Sequence, residues 1–124
     1  MKKLPWRDIY AWLLAAFFVL GGGMNLLASP EILADYRRWG YPDWFHYVTG
    51  VMEWTAAVLI AIPATRLAGS VFAGTIMAAA AGTVALNGEF SHAIPPLTVL
   101  ALLGVNVWLT WSKGAAPGGE RNSL

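Results

Sequence analysis

Residues 45–62 read FHYVTGVMEWTAAVLIAI, an apolar run of 18 residues that holds one acid, Glu53, and one histidine. A helix rises about 1.5 Å per residue and the hydrocarbon core of a bilayer is about 30 Å thick, so a run of this length is typical of a membrane span. Working outward along the chain, similar runs occupy residues 9–27, 67–86 and 94–111. The sequence therefore predicts an all-α, membrane-spanning four-helix bundle.

The composition supports this class. Of the 124 residues, 57% are hydrophobic and 12% are charged, which is too apolar for an average soluble protein. Residues 1–112 are expected to form one transmembrane domain and residues 113–124 a flexible cytoplasmic tail. The chain has no cysteine, which excludes dithiol redox chemistry, and it has no phosphate-binding glycine loop or basic stripe for nucleic acid.

The N-terminal run also has features of a secretory signal peptide, because Lys2, Lys3 and Arg7 precede it and Ala28-Ser29 follows it. Its apolar stretch is longer than a usual signal core, and no clean small-x-small cleavage site follows. We therefore expect it to be retained as the first span.

Lysine and arginine are distributed unequally between the two ends of the predicted spans. Arg37 and Arg38 lie on one side, and the other side carries Lys2, Lys3, Arg7, Arg66, Lys113 and Arg121. This bias predicts that both termini lie in the cytoplasm, and the membrane is expected to be the plasma (inner) membrane.

The segment between the first two spans is predicted to form a short interfacial helix on the outer surface. Ser29 can cap it, Pro30 suits its first position and Gly40 can end it. Its apolar residues would share one face and could cover the outer mouth of the bundle.

Glu53 is the residue with the strongest indication of function. It lies about 13 Å below the outer boundary, where an ionised carboxylate is costly, so it should be protonated, paired or facing water. A structural alternative is that it only locks the bundle through a hydrogen bond. By its depth along the fourth span, Asn106 is expected to be the nearest partner of Glu53. Asn25, Thr83 and Asn87, together with Glu53, suggest a polar pocket that opens outward.

His46, Gly50 and Glu53 are spaced to share one helix face, and Gly50 would leave room for a small ligand. We expect no metal site, because the histidines fall at the interface. No catalytic residue can be assigned. The candidate pocket residues are Glu53, Asn25, His46, Tyr47, Trp54, Asn87 and Asn106.

Three short motifs occur in order: Gly22-x-x-Asn25-Leu26, Gly40-Tyr41-Pro42 and Gly50-x-x-Glu53. In this combination the chain resembles the DoxX-like membrane proteins over residues 10–111. The resemblance implies a four-helix bundle with both termini inside, and a role as the small membrane subunit of a quinone-linked redox system with redox or membrane protein partners. The family's usual lysine is replaced here by Asn25, which removes a counter-charge for Glu53.

Two alternatives stay open beside a quinone-linked role. Small multidrug resistance transporters are also four-span chains with one essential intramembrane glutamate, but they carry it on the first span. A non-catalytic partner or assembly factor is the other alternative. Whether the chain is an enzyme, and whether its ligand is a quinone or another hydrophobic small molecule, cannot be predicted from these residues.

Overall fold

The computed structural model describes residues 5–114, and this part of the chain is all-α. Five α-helices follow one another as α1 (Trp6–Leu27), α2 (Pro30–Arg38), α3 (Phe45–Ala61), α4 (Arg66–Leu86) and α5 (Ile94–Gly114). A short 3-10 helix, Pro63–Thr65, precedes α4, and another, Phe90–Ala93, precedes α5. The all-α prediction is confirmed; most of the predicted cytoplasmic tail, residues 115–124, lies outside the described residues.

Three helical segments of the described chain are long and apolar enough to cross a membrane: Trp6–Leu27, Pro63–Leu86 and Phe90–Ser112. They correspond to the first, third and fourth predicted spans. Helix α3 has 17 residues and rises about 26 Å, somewhat less than the hydrocarbon thickness. Its crossing therefore stays a prediction.

The four long helices form a ring in the order α1, α3, α4, α5. Helix α1 packs extensively on α3, α3 on α4 and α4 on α5, whereas α1 and α5 meet only sparsely. The centre holds small side chains beside a few large ones, among them the fully buried Ala11, Phe18, Ala56, Ile60 and Ala73. Small residues allow close helix contact in lipid, where water does not drive the helices together.

The closest helix contact joins α1 and α3 at two glycines. A Cβ atom on Gly22 would overlap the Trp54 ring and lie 2.9 Å from the Gly50 carbonyl oxygen. A Cβ on Gly50 would in turn meet Leu26 and the Gly22 carbonyl oxygen. The two backbones therefore touch, and only glycine fits at either position.

Arg66 fixes the turn between α3 and α4. Its buried guanidinium donates to the carbonyl oxygens of Ile60 (2.7 Å) and Ala61 (3.0 Å), and it forms an ion pair with Asp8 at 2.7 Å. Trp12 donates to the same Ala61 oxygen at 3.1 Å. The carbonyl groups that end a helix lack intrahelical partners, so these donors stabilise the end of α3.

At the opposite end, α2 matches the helix predicted from the sequence. The Ser29 hydroxyl accepts from the Ile32 amide at 3.3 Å, Pro30 occupies the first helical position, and Gly40 has a φ of +89°. That φ lies in the left-handed region, which favours glycine after a helix end. The chain can therefore turn from α2 into α3.

The glycine contact gives a direct test. We expect Gly22→Ala to lower the free energy of unfolding by about 1–3 kcal/mol, because the added methyl group would push α1 away from α3. Gly23→Ala is the matched control, since a Cβ there has open space and alanine favours helix. Thermal unfolding in mild detergent should show a lower Tm for Gly22→Ala only, and equal Tm values would contradict the contact.

Candidate functional site

A cavity of about 550 Å³ lies inside the helix ring, beneath α2. All four long helices contribute to its walls, and α2 contributes to its cover. Most of the lining is apolar, and its polar groups are few. The lining residues used below are Phe17, Gly21, Met24, Asn25, Asp35, Tyr36, Trp39, Tyr41, Glu53, Thr83, His92 and Pro95.

Glu53 forms part of the cavity wall on α3, and its side chain is buried. Asn25 on α1 donates to Glu53 Oε1 at 3.0 Å. A Cβ on Gly21 would lie 3.2 Å from both carboxyl oxygens, so the absence of a side chain there makes room for the carboxyl group. Within residues 5–114, Oε2 has no protein donor and Glu53 has no ion pair.

Tyr36 on α2 fixes the orientation of the Asn25 amide. Its hydroxyl donates to Asn25 Oδ1 at 2.6 Å, which leaves the Asn25 nitrogen to donate to Glu53 and to the Gly21 carbonyl oxygen at 3.2 Å. Burial raises the pKa of the Tyr36 phenol above its ordinary value of 10.0, so the hydroxyl keeps its proton. A hydrogen-bonded chain therefore runs from the covering helix to the buried acid.

A second contact holds α2 against the loop between α4 and α5. The Arg38 guanidinium forms two hydrogen bonds with the Glu89 carboxylate, both 2.8 Å long. Trp39 Nε1 donates to Glu89 Oε2 at 3.2 Å, and His92 Nδ1 lies 3.0 Å from Glu89 Oε1. Arg38 also forms an ion pair with Asp35 at 2.9 Å. We call the Arg38–Glu89 pair the latch.

Arg38, with help from Trp39 and His92, lowers the pKa of the Glu89 carboxyl group to about 2, although burial acts against this. Glu89 is therefore ionised at neutral pH. A two-bond pair between a guanidinium and a carboxylate is more specific in geometry than a single ionic contact. The latch thus fixes the position of α2 over the cavity.

The residues predicted from the sequence separate into two groups. Asn25 and Glu53 lie together at the cavity, and the buried His46 ring supports them, since its Nδ1 lies 2.8 Å from the Asn25 carbonyl oxygen. The ring of Trp54 is 45% exposed and donates to the Val19 carbonyl oxygen at 2.9 Å, and Tyr47 is 55% exposed. Neither aromatic side chain lines the cavity.

The two other asparagines lie away from the cavity. Asn87, at the end of α4, donates to the Thr83 carbonyl oxygen at 2.8 Å. Asn106 is buried between α5 and α4 and donates to the Ser70 hydroxyl at 2.8 Å. The expectation that Asn106 would be the partner of Glu53 was wrong; depth alone does not show which face of a helix a side chain occupies.

The space predicted beside Gly50 is also absent. Leu26 and the Gly22 backbone fill it, because α1 approaches α3 more closely than the sequence pattern indicated. The open volume lies instead on the side of Glu53 that faces α4 and α5. No group of three or more metal-ligating side chains occurs within residues 5–114.

Sequence reasoning missed Tyr36 and the latch as parts of the site. Tyr36 carried a usable signal, because it lies on the apolar face of α2 and a buried phenol needs a hydrogen-bond partner. Arg38 and Glu89 are 51 positions apart. A single sequence offers no pattern that joins them.

The latch predicts a pH dependence with a defined sign. The pKa of Glu89 is lower in the folded chain than its ordinary value of 4.5, so the latch stabilises fully above about pH 4.5 and loses its contribution as the pH falls towards 2. We expect the Tm of wild type to exceed that of Glu89→Gln near neutral pH, and the difference to shrink from about pH 5 to about pH 3.

Thermal unfolding of both proteins across this pH series is the measurement, with Glu31→Gln, an exposed glutamate of α2, as the control for loss of a charge. A Tm difference between wild type and Glu89→Gln that stays constant across the series would contradict the assignment.

Comparison with known proteins identifies the family. The model of the DoxX-like family matches residues 9–105, which include Asn25, Tyr36, Glu53 and Glu89. No curated protein and no solved structure matches the chain. Because the match covers more than half of the sequence and the helices are apolar, the chain belongs to the DoxX-like family of membrane proteins.

Proposed function

We propose that this protein crosses the plasma membrane four times with both termini in the cytoplasm, and that its cavity binds a quinone as part of a quinone-linked redox system. The position of α3 supports a fourth crossing. It packs between α1 and α4, both of which are long and apolar enough to span. A helix held in this ring lies at the same depth as its neighbours.

The cysteine-free chain makes this topology straightforward to test. Single cysteines at Asp43 and Ala64 lie just before and just after α3, so a crossing would place them on opposite sides of the membrane. In intact cells, a membrane-impermeant maleimide should label Asp43→Cys and leave Ala64→Cys unlabelled until the membrane is permeabilised. Equal labelling of the two variants in intact cells would contradict a fourth span.

The observation that carries the quinone proposal is the free carboxyl oxygen of Glu53 in an apolar cavity. Ligand sites of about 300–1,000 Å³ commonly combine apolar walls with a few convergent polar groups, and this cavity fits that description at about 550 Å³. A quinone has a flat apolar ring with two carbonyl oxygens that need donors. It would carry two electrons and two protons between redox partners.

The residues of the chain would form hydrogen bonds with the quinone ring, and Glu53 would supply one proton to it. No cation neutralises Glu53 within the described residues, so its neutral form is the less costly one to bury, and that form can donate from Oε2. Asn25 holds the other oxygen and so keeps Oε2 towards the cavity. Electrons would come from a partner redox protein.

Substitutions at Glu53 separate binding from proton exchange. In Glu53→Gln, the amide oxygen can accept from Asn25 while the amide nitrogen donates to the ligand, so quinone binding should persist and lose its pH dependence. In Glu53→Leu the donor at this position is lost, and affinity should fall by about tenfold or more. Asn106→Leu is the control, since it removes a buried polar group outside the cavity.

Binding of a quinone to protein in lipid nanodiscs, together with native mass spectrometry of the purified protein, gives the measurement. Saturable binding that Glu53→Leu weakens and Asn106→Leu does not would support the proposal. If wild type shows no saturable binding, the quinone role fails. Assays of pH-driven flux and of co-purifying proteins would then separate a transporter from an assembly factor.

A further inference from the structure

We infer that the ligand reaches the cavity from the outer leaflet of the bilayer, through the seam between α1 and α5, and that it is an amphiphile whose apolar tail stays in this seam. The inference rests on the proposed function, because it concerns the route into the same cavity and the class of ligand that can use it.

The route from water is covered by α2, which is held on three sides. Tyr36 bonds to Asn25 on α1, and the latch joins Arg38 to Glu89 in the loop between α4 and α5. The hydroxyl of Tyr41, just after α2, lies 2.7 Å from the Thr83 hydroxyl on α4. Opening towards water would break all three contacts together.

Of the helix pairs that close the ring, α1 and α5 have the smallest contact, and we call this contact the seam. Tyr10 donates to the Leu102 carbonyl oxygen at 2.7 Å and joins the two helices on the cytoplasmic side of Phe17. Among the side chains that the structure describes, this is the only hydrogen bond between α1 and α5, and the two helices meet sparsely along their length. Separating the apolar helix surfaces beside the cavity would break no hydrogen bond among the described side chains.

The side chains along this part of the seam belong both to the cavity and to the outer surface. On α1, Phe17 and Met24 line the cavity and are 45% and 55% exposed. On α5, Pro95 lines the cavity and is exposed as well. A residue that meets both the cavity and the surroundings marks an edge of the opening. Ala79 on α4 and His92 before α5 also meet this criterion, and the three edges that α1 and α5 contribute to the seam are apolar.

The chemistry of the two ends of this path defines the ligand. At the inner end, Glu53 offers a hydrogen bond to a polar ring. At the outer end, the seam offers only apolar contacts, and it faces lipid rather than water if α1 and α5 cross the bilayer. A cavity of about 550 Å³ has room for a ring headgroup, so a long tail has to extend along the seam.

A photoreactive ligand can map this path. The probe is a benzoquinone that carries a ten-carbon tail with a diazirine midway along it, added to wild-type protein in lipid nanodiscs. Mass spectrometry after illumination should place the adducts on the outer half of α1 and on the start of α5. Excess unlabelled quinone should remove these adducts.

Two variants and a control test the seam. Met24→Trp narrows the opening from α1 and Pro95→Trp from α5, and each should slow labelling several-fold. Leu20→Trp adds the same bulk to an exposed residue of α1 that does not line the cavity, so it should label at the wild-type rate. Binding of the tail-less parent quinone is measured beside the labelling, and Leu20→Trp, which lies outside the cavity, should bind it as wild type does.

Each outcome has a defined meaning. Competed adducts on α1 and α5, slowed only by the two seam variants, support the inference. Competed adducts concentrated on α2 or on residues 87–93 overturn it and leave quinone binding standing. If the labelling is not competed and the tail-less quinone does not bind, the proposed function fails, and the route through the seam fails with it.

Discussion

The contact between the backbones of Gly22 and Gly50 is the constraint on which the rest of the structure depends. It brings α1 against α3 more closely than any side chain would permit. Asn25 and Glu53 each lie one turn from one of these glycines, and with the two helices this close the Asn25 amide reaches across to the Glu53 carboxyl group. Helix packing and the polar contact therefore occur in the same part of the α1–α3 interface.

The polar groups at the end of the bundle that α2 covers form two hydrogen-bonded systems with different roles. The chain from Tyr36 through Asn25 to Glu53 orients the buried acid, because an amide that accepts at its oxygen must donate from its nitrogen. The latch between Arg38 and Glu89 holds the covering helix from the other side. Since both systems include residues of α2, the position of this helix and the environment of Glu53 are linked.

Much of this fold follows from local sequence pattern. The helix bounds agree with the predicted runs to within a few residues, and α2 has the cap, the first-turn proline and the terminal glycine expected of it. Asn25 and Glu53, both singled out from the sequence, lie together at the cavity, and their role there stays a prediction. The pattern could not show how each helix is rotated. Asn106 and Trp54 therefore face away from the cavity, although their depths suited it.

Arg66 has a consequence for how the chain is assembled during synthesis. Its two carbonyl acceptors, Ile60 and Ala61, precede it by only six and five residues. The turn can therefore close its own bonds as soon as it leaves the ribosome, and α3 and α4 can pair as a hairpin before α5 is made. Asp8 of α1 precedes this hairpin in the chain and receives the same guanidinium. One side chain thus ends α3, closes the hairpin and docks α1 onto it.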